Sequence, residues 1–505
     1  MWVAPQRRDL GAIAHYTGLL ITTVAGAMVI PLATALVAGE WGPALDFALG
    51  AGVTAAIGMG LAQMAPRGAY LGRRDALIIT ALAWLSISLV GAIPLSLSGH
   101  YGSFLDAWFE TMSGFTTSGL TLSQDLDHMA VAHNMWRHLT HLIGGQGIIV
   151  AALTVAMGVR GGGAISLYIA EGRDERIMPN VIHTARFIWF VTAVYVSLGT
   201  VALGIANLAA GMEFSRSFLH GFWATIACYD TGGFGPQSMN ALYYHSPIFE
   251  IVTVMLMLAG TLNFNLHADV WRGDPREIGK NIEARSLAVN IALLSAAVGF
   301  GLGASQLYSG WGEVLRKGVY HVMSANSGTG HQTLYTTQWL NGYSGLGFAA
   351  ILLAMAFGGM VSSTAGGIKA LRLGLIAKGV LWRVKQSIAP ASSVITQKYH
   401  HLLDVPLTSE VLSNALMVFV LYVITYITGA LIGAAYGYPA GAALFESISA
   451  TANVGLSTGI TAPTMPAGLK ITYMVQMWAG RLEFITLFAL IASIVTSFRR
   501  GRGRQ

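Results

Sequence analysis

Charge is scarce in this chain. Only 10% of its 505 residues are Asp, Glu, Lys or Arg, against about 25% in soluble domains. Together with 54% hydrophobic residues and a mean hydropathy of +0.58, the deficit excludes an ordinary soluble globule and implies a polytopic membrane protein. A single cysteine, Cys228, excludes an internal disulfide framework. A cleavable leader pattern is missing too: Arg7, Arg8 and Asp9 run straight into an apolar stretch long enough to span a bilayer. Paired carboxylates, metal-ligand sets and nucleophile–base constellations are absent, so no enzyme and no organic cofactor is expected. His133, His138 and His141 include an i, i+3 pair, but no Cys or carboxylate clusters with them and Arg137 intervenes; they read as interfacial histidines. "GLGASQLYSG" (301–310) has scattered glycines with no strand before it, so it is no dinucleotide site.

Apolar stretches are what the chain has. Ten lie near 15–38, 43–64, 75–98, 136–158, 187–211, 246–268, 286–308, 343–365, 409–435 and 470–497, each near the roughly 20 residues a spanning helix needs. Most of the 29 basic residues fall in alternate connections: Arg7 and Arg8; Arg67, Arg73 and Arg74; Arg160, Arg173, Arg176 and Arg186; Arg272, Arg276, Lys280 and Arg285; Lys369 to Lys398; and Arg499 to Arg504. The positive-inside rule makes those connections and both termini cytoplasmic. The net charge of +6 is thus split among six short segments in register with the spans, and no nucleic-acid surface is expected.

Four of the opposite connections carry a short apolar stretch followed by small residues: "GSFLDAWFETMSGFTTSGLT", "FSRSFLHGFWATIACYDTGGFG", "GWGEVLRKGVYHVMSANSGTGHQT" and "PAGAALFESISATANVGLSTGIT". Apolar runs of about 10–14 residues read as re-entrant. The four align on Thr117-Ser118-Gly119, Thr231-Gly232-Gly233, Gly328-Thr329-Gly330 and Asn453-Val454-Gly455. The expected fold class is an all-α membrane protein with four pseudo-symmetric helix–pore-helix–helix repeats around a central pore plus two N-terminal transmembrane helices. The divisions fall at 1–70, 71–186, 187–285, 286–400 and 401–505. Non-helical backbone at membrane depth is tolerated only where it is buried or lines a wet cavity, and rings of backbone carbonyls can replace a cation's hydration shell. One such loop would read as glycine permitting close helix packing. Four at equivalent positions point to selection of a dehydrated monovalent cation. Gly328 is an extra glycine, expected to give the third tract more backbone freedom than its counterparts.

Two further features fall within apolar stretches. "GGMVSSTAGG" (358–367), with Gly358, Gly359, Ser362, Ser363, Thr364, Gly366 and Gly367, interrupts what would be one helix from about 343 to 383, and Lys369 follows it. Ten such residues are too many for a simple packing kink. Arg481 lies near the middle of the last span, where a charge costs about 2.5–3.5 kcal/mol on insertion scales; in a cation path it is an electrostatic barrier. A buried ion pair with Glu483 or Glu446 is the alternative, although two residues' separation puts Glu483 on another helix face. Asp230, just before the second tract, reads either as an entrance charge or as an acceptor for loop N–H groups.

These residues resemble the Trk/Ktr/HKT superfamily of potassium transporters, in particular the bacterial Trk membrane subunit, over nearly the whole chain. Beyond the four tracts, "MWRHLTHLIGGQGIIVAALTV" (135–155) is similar to the second helix of the family's first repeat. "SSTAGGIKALRL" (362–373) is similar to the intramembrane loop of its third repeat, and "AGRLEFITLFAL" (479–490) to its last helix with the arginine. The resemblance implies channel-like potassium uptake across the bacterial inner membrane, with K+ the transported ion held by the twelve tract residues. It also implies a gate beneath them formed by the 358–369 loop and Arg481, and a homodimer in which each protomer has its own pore. A cytosolic nucleotide-binding ring of RCK type is implied on the basic inner face, which would equally suit anionic membrane lipid. A glycine closing every tract goes with potassium in this family, whereas a serine in the first accompanies sodium permeation in plant members. A sodium-permeable or Na+/H+-coupled symporter of the same superfamily is the alternative. The related subunit of a potassium-pumping ATPase would be expected to have richer glycine tracts and to lack "AGRLEF".

Overall fold

A backbone in lipid must bond to itself, and the apolar stretches accordingly form helices. The computed structural model describes residues 7–64, 71–155, 162–171, 180–305, 308, 310–390, 392–393 and 395–502; Arg67, Arg160, Arg173, Arg176 and Arg504 lie outside the described residues. Helices α1 (Arg7–Ala27) and α2 (Val29–Ala38) form one apolar span, with a turn at Met28 just ahead of Pro31, which has no N–H for the ladder. Helix α3 (Trp41–Ala62) lies against α1 through glycine. A Cβ on Gly58 would stand 2.8 Å from the Thr22 nitrogen and 2.9 Å from the Gly18 carbonyl, so the two backbones touch, as small residues allow between membrane helices.

The rest of the chain repeats one pattern four times. A long helix comes first, then a short one, then a helix broken in two. The first copy is α4 (Arg73–Leu97), α5 (Phe104–Phe115), α6 (Val131–Gln146) and α7 (Ile148–Val155), followed by α8 (Gly162–Ala170). The second is α9 (Val181–Ala209), α10 (Phe214–Tyr229), α11 (Pro247–Thr261) and α12 (Phe264–Trp271), with α13 (Arg276–Lys280) behind it. The third is α14 (Ile282–Ser305), α15 (Trp311–Ser327), a one-turn α16 (Gln338–Asn341), α17 (Gly345–Ala356) and α18 (Ala370–Ile388). A hairpin, β1 (Lys398–His401) antiparallel to β2 (Leu403–Pro406), leads into the fourth: α19 (Ser409–Ala435), α20 (Ala440–Ala452), α21 (Ala467–Arg481) and α22 (Ile485–Arg502).

The expectation of uninterrupted spans at 136–158, 246–268 and 470–497 is corrected, and the span from 343 ends at Ala356, where the interruption at 358–367 was expected. Among the described residues six helices are long and apolar enough to cross a membrane. Two pairs bent by 103° (α11–α12) and 113° (α21–α22) raise that to eight if each counts as one span. The breaks have local causes that average hydropathy does not register. Gly147 sits at φ 88°, Glu483 and Phe484 at 51° and 70°, and Asn263 caps α12 with its side chain on the Asn265 N–H. Glycines end the first halves because the short helices rest on them. A Cβ on Gly144, Gly260 or Gly480 would run into the carbonyl of Phe115, Tyr229 or Thr451, respectively, at the C-terminal ends of α5, α10 and α20. Two apolar clusters clasp these helices, one around Trp84, Phe109, Phe115 and Trp136, the other around Trp339, Tyr422 and Phe445.

The hairpin lies outside the candidate spans. His400 Nδ1 is 2.7 Å from Asp404 Oδ1 and its Nε2 is 2.9 Å from Glu277 Oε1, beside α13. The hydrogen bond to Asp404, with Glu277 adding to it, raises the His400 pKa above its ordinary value. The stabilisation from protonated His400 is therefore complete below the ordinary histidine pKa of about 6.5 and is lost as pH rises through the raised folded value. Amide exchange across Lys398–Pro406, corrected for its intrinsic rate, should be slower at pH about 6 than at about 8; equal protection would contradict this docking.

Candidate functional site

The short helices α5, α10, α15 and α20 all end the same way. The N–H groups of Thr117, Thr231, Gly328 and Asn453 bond to the carbonyls of Gly114, Cys228, Ala325 and Ala450. Those of the next residues, Ser118, Gly232, Thr329 and Val454, bond to Ser113, Ala227, Ser324 and Ser449 at 2.8–3.0 Å. This paired closure requires a left-handed residue after the helix, and the four hold φ of 55°, 50°, 77° and 56°. Glycine is the residue that takes this conformation without cost; threonine, being β-branched, is an outlier in it. Gly328 adopts the same conformation as its counterparts and is the relaxed member of a set whose other three members are held in place by their surroundings.

The tracts meet in a closed cycle. Gly119, Gly233, Gly330 and Gly455 are again left-handed, at 76°, 79°, 73° and 96°. A Cβ on Gly119 would strike the carbonyl of Gly232, one on Gly233 that of Thr329, and one on Gly330 that of Val454. One on Gly455 would stand 2.7 Å from the Ser118 carbonyl. Each glycine thus presses on the middle carbonyl of another tract, in the order one, two, three, four and back to one. The N–H groups before these glycines are spent on the helix ends, and among the described residues no protein donor bonds to the carbonyls of Ser118, Gly232, Thr329 or Val454.

A second set of side chains, which the sequence reading missed, holds the strands that leave the ring. Nine residues before each closing glycine stand Glu110, Ala224, His321 and Glu446. Glu110 accepts the Leu122 N–H at 2.9 Å, His321 Nε2 the Thr333 N–H at 3.1 Å and Glu446 the Thr458 N–H at 2.8 Å, in each case three residues past the glycine. In the second copy that residue is Pro236, which has no N–H, and the helix carries alanine there. The constant spacing was legible once the tracts were aligned. Arg137 joins the first copy, its Nε 2.9 Å from Glu110 and its guanidinium over the Phe234 ring at 4.2 Å.

The loop between α17 and α18 and the Arg481 side chain lie against the same ring. The loop is an ordered fold: Gly358 N–H bonds to Ile368 at 2.9 Å, Ile368 to Ala356 at 3.1 Å, and Met360 and Thr364 to the Thr261 and Gly260 carbonyls at the end of α11. Gly367 at φ 71° and Ser362 at 52° turn it. Ser363 closes onto the Met360 carbonyl at 2.6 Å, and Lys369 Nζ bonds back to Ala365. A Cβ on Gly366 would meet Asn453, and a Cβ on Gly359 would meet Thr261. Thr364 Oγ1 donates to the Tyr229 and Gly260 carbonyls and accepts from Thr231 at 3.3 Å. Arg481 Nη1 reaches Thr117 Oγ1 at 3.2 Å and the Thr364 carbonyl at 2.9 Å, while its Nη2 bonds to Gly144. Glu483 pairs with Arg372, and Glu446 bonds the strand after the fourth tract. Arg481, Lys369 and Glu483 line one cavity with Trp84 and Glu171.

Two weaker expectations change. His133, His138 and His141 are buried. His141 donates through Nδ1 to Gly114 at 2.9 Å and accepts the Phe234 N–H at 3.1 Å, tying tracts one and two. They are not interfacial, and among the described residues no three His, Cys, Asp or Glu side chains gather to hold a metal. Asp230 is also fully buried. It takes the Gln146 amide at 2.5 Å and stands at no entrance.

The family model described as TrkH, cation transport protein, matches residues 49–303 and 310–497. An uncharacterized cation transporter of Methanocaldococcus jannaschii is 30% identical over 97% of this chain and 96% of its own. The Trk system potassium uptake protein TrkH of Escherichia coli K12 is 29% identical over 95% and 98%. The crystal structure of the potassium transporter TrkH from Vibrio parahaemolyticus covers 96% of this chain with a TM-score of 0.80 at 24% identity, a likeness of fold. The architecture is that of a helical membrane transport protein with four repeated short helices. The chain belongs to the TrkH family of cation transport proteins.

Glu446 also accepts from the hydroxyls of Ser457, Thr458 and Thr461. Glu446→Ala strands these donors, at a cost of about 1–3 kcal/mol, whereas Glu446→Gln keeps an acceptor. The thermal unfolding midpoint in detergent should fall for the alanine variant and hold near wild type for glutamine. An unchanged midpoint for alanine would show that the strand is held elsewhere.

Proposed function

We propose that this protein takes up potassium across the bacterial inner membrane through the four-tract ring. The backbone carbonyls of Thr117–Gly119, Thr231–Gly233, Gly328–Gly330 and Asn453–Gly455 act as the ligands of a dehydrated K+. The observation that carries the reading is the closed cycle of glycine-on-carbonyl contacts. The tract N–H groups before the closing glycines are already bonded to the helix ends, so the middle carbonyls are the polar groups left to face an ion. A buried carbonyl without a partner costs free energy, and a cation supplies the partner. A relative named as a potassium uptake protein aligns over nearly the whole chain, which supports potassium as the ion.

Below the ring, the loop bearing Gly358, Gly359, Ser362, Ser363, Thr364, Gly366, Gly367 and Lys369 acts as a gate with Arg481. A cation leaving the ring meets a guanidinium bonded to the first tract and to the loop, a repulsion that strengthens where water is excluded. Conduction requires the loop to leave and Arg481 to swing away. Both termini are cytoplasmic in this reading. The protein works as a homodimer with one pore per protomer, its basic inner face meeting an RCK-type regulatory ring and anionic lipid heads.

Two measurements test this. The wild-type chain should restore growth of a potassium-uptake-deficient bacterium at low potassium, and Gly330→Ser should not, because its Cβ meets the Val454 carbonyl. Full rescue by the variant would remove the third tract from the ion's path. In proteoliposomes, Arg481→Ala should raise K+ flux several-fold; unchanged or lower flux would exclude Arg481 as a barrier.

A further inference from the structure

The intramembrane loop is anchored from three directions. Thr364 is tied to α10 and α11 from within the membrane, and Arg481 holds it from the end of α21. The third direction leads outward. Glu283, wholly buried in the first turn of α14, accepts the Val361 N–H through Oε1 at 2.8 Å. Its other oxygen lies 3.6 Å from His401 Nδ1, at the end of β1. Lys369 and Arg372 are among its other charged neighbours. The hairpin touches the loop a second time. Leu402, at its tip, is partly buried against an apolar cluster made of Met360 of the loop, Leu266 of α12, Leu287 of α14 and Ala370 of α18.

Leu402 holds φ 60°, which a leucine adopts only where its surroundings fix it. The turn therefore sets an apolar side chain against the cluster that holds Met360 and His401 beside Glu283, in adjacent positions at the strand end. The return strand is exposed beyond the turn: Leu403 is 74% accessible, and the Asp404 side chain that receives His400 is 69% accessible.

We infer that the hairpin Lys398–Pro406 is a lever seated under the intramembrane loop, acting through Leu402 on the apolar cluster that holds Met360 and through His401 and Glu283 on Val361. Drawing the hairpin outward withdraws both contacts together and removes the outer of the loop's three anchors, which favours its departure from the ring. Glu283, His401 and Leu402 are positioning residues for transport and touch no ion. The inference rests on the reading of the loop as a gate.

The test compares K+ and Na+ flux in proteoliposomes of the full chain for wild type, Arg481→Ala, His401→Ala and Leu402→Gly. The two hairpin variants lie outside the spans, and glycine keeps the left-handed turn while removing the wedge. Each should raise K+ flux about fivefold, the effect of losing one modest coupling, with the K+ to Na+ ratio unchanged because the ring is untouched. Glu283→Ala should do the same. Wild-type flux in both hairpin variants beside raised flux in Arg481→Ala would overturn the lever and leave the gate standing. Wild-type flux in Arg481→Ala as well would remove the gate and the lever with it. Raised flux with a lost ion preference, or reduced flux in the hairpin variants, would also overturn the lever, since the ring itself would then have been disturbed.

Discussion

Four glycines pressed against four carbonyls are the contact on which the rest of this structure depends. No side chain can stand at Gly119, Gly233, Gly330 or Gly455 without striking the backbone of another tract. The short helices must end at one depth and in one closure for those contacts to form, and all four do so with the same pair of hydrogen bonds. The long helices carry the short ones, and the broken helices give them a seat where Gly144, Gly260 and Gly480 admit their last carbonyls. The carboxylates and imidazole of Glu110, Glu446 and His321 then hold the departing strands. A chain poor in charge spends several of its buried charged groups on backbone N–H groups around this ring.

The underside of the ring stores strain and polarity together. Thr117, Thr231 and Asn453 are left-handed non-glycine residues, and each uses its side chain there: Thr117 toward Arg481, Thr231 toward Thr364, Asn453 toward Ser118 and Met477. Strained backbone persists where neighbours over-determine it. The loop and the arginine are among those neighbours, so ring and floor stabilise one another. Moving the floor removes partners from the ring's least relaxed residues, whereas Gly328 needs none.

Much of this was legible in the sequence, for a physical reason. Short apolar runs ending in small residues are rare beside long spans, and four of them align by eye. The helix interruption at 358–367 was legible because four glycines in ten residues cannot sustain a helix. The breaks at Gly147, Asn263 and Glu483 were not, because hydropathy is blind to a backbone that turns while its side chains stay apolar. The buried histidines misled because imidazole suits both an interface and a core hydrogen bond, and only the fold brings Gly114 and Phe234 to His141. The hairpin escaped notice within a basic segment read only for its charge, and its tip, Leu402, matters through a conformation that no composition reveals.

The central claim is that the middle carbonyls of the four tracts surround a dehydrated potassium ion. Anomalous diffraction from crystals grown with rubidium or thallium in place of potassium tests it most directly. The account predicts a peak on the ring axis, within coordination distance of the carbonyl oxygens of Ser118, Gly232, Thr329 and Val454. Bound ions elsewhere in the chain and an empty ring axis would contradict it.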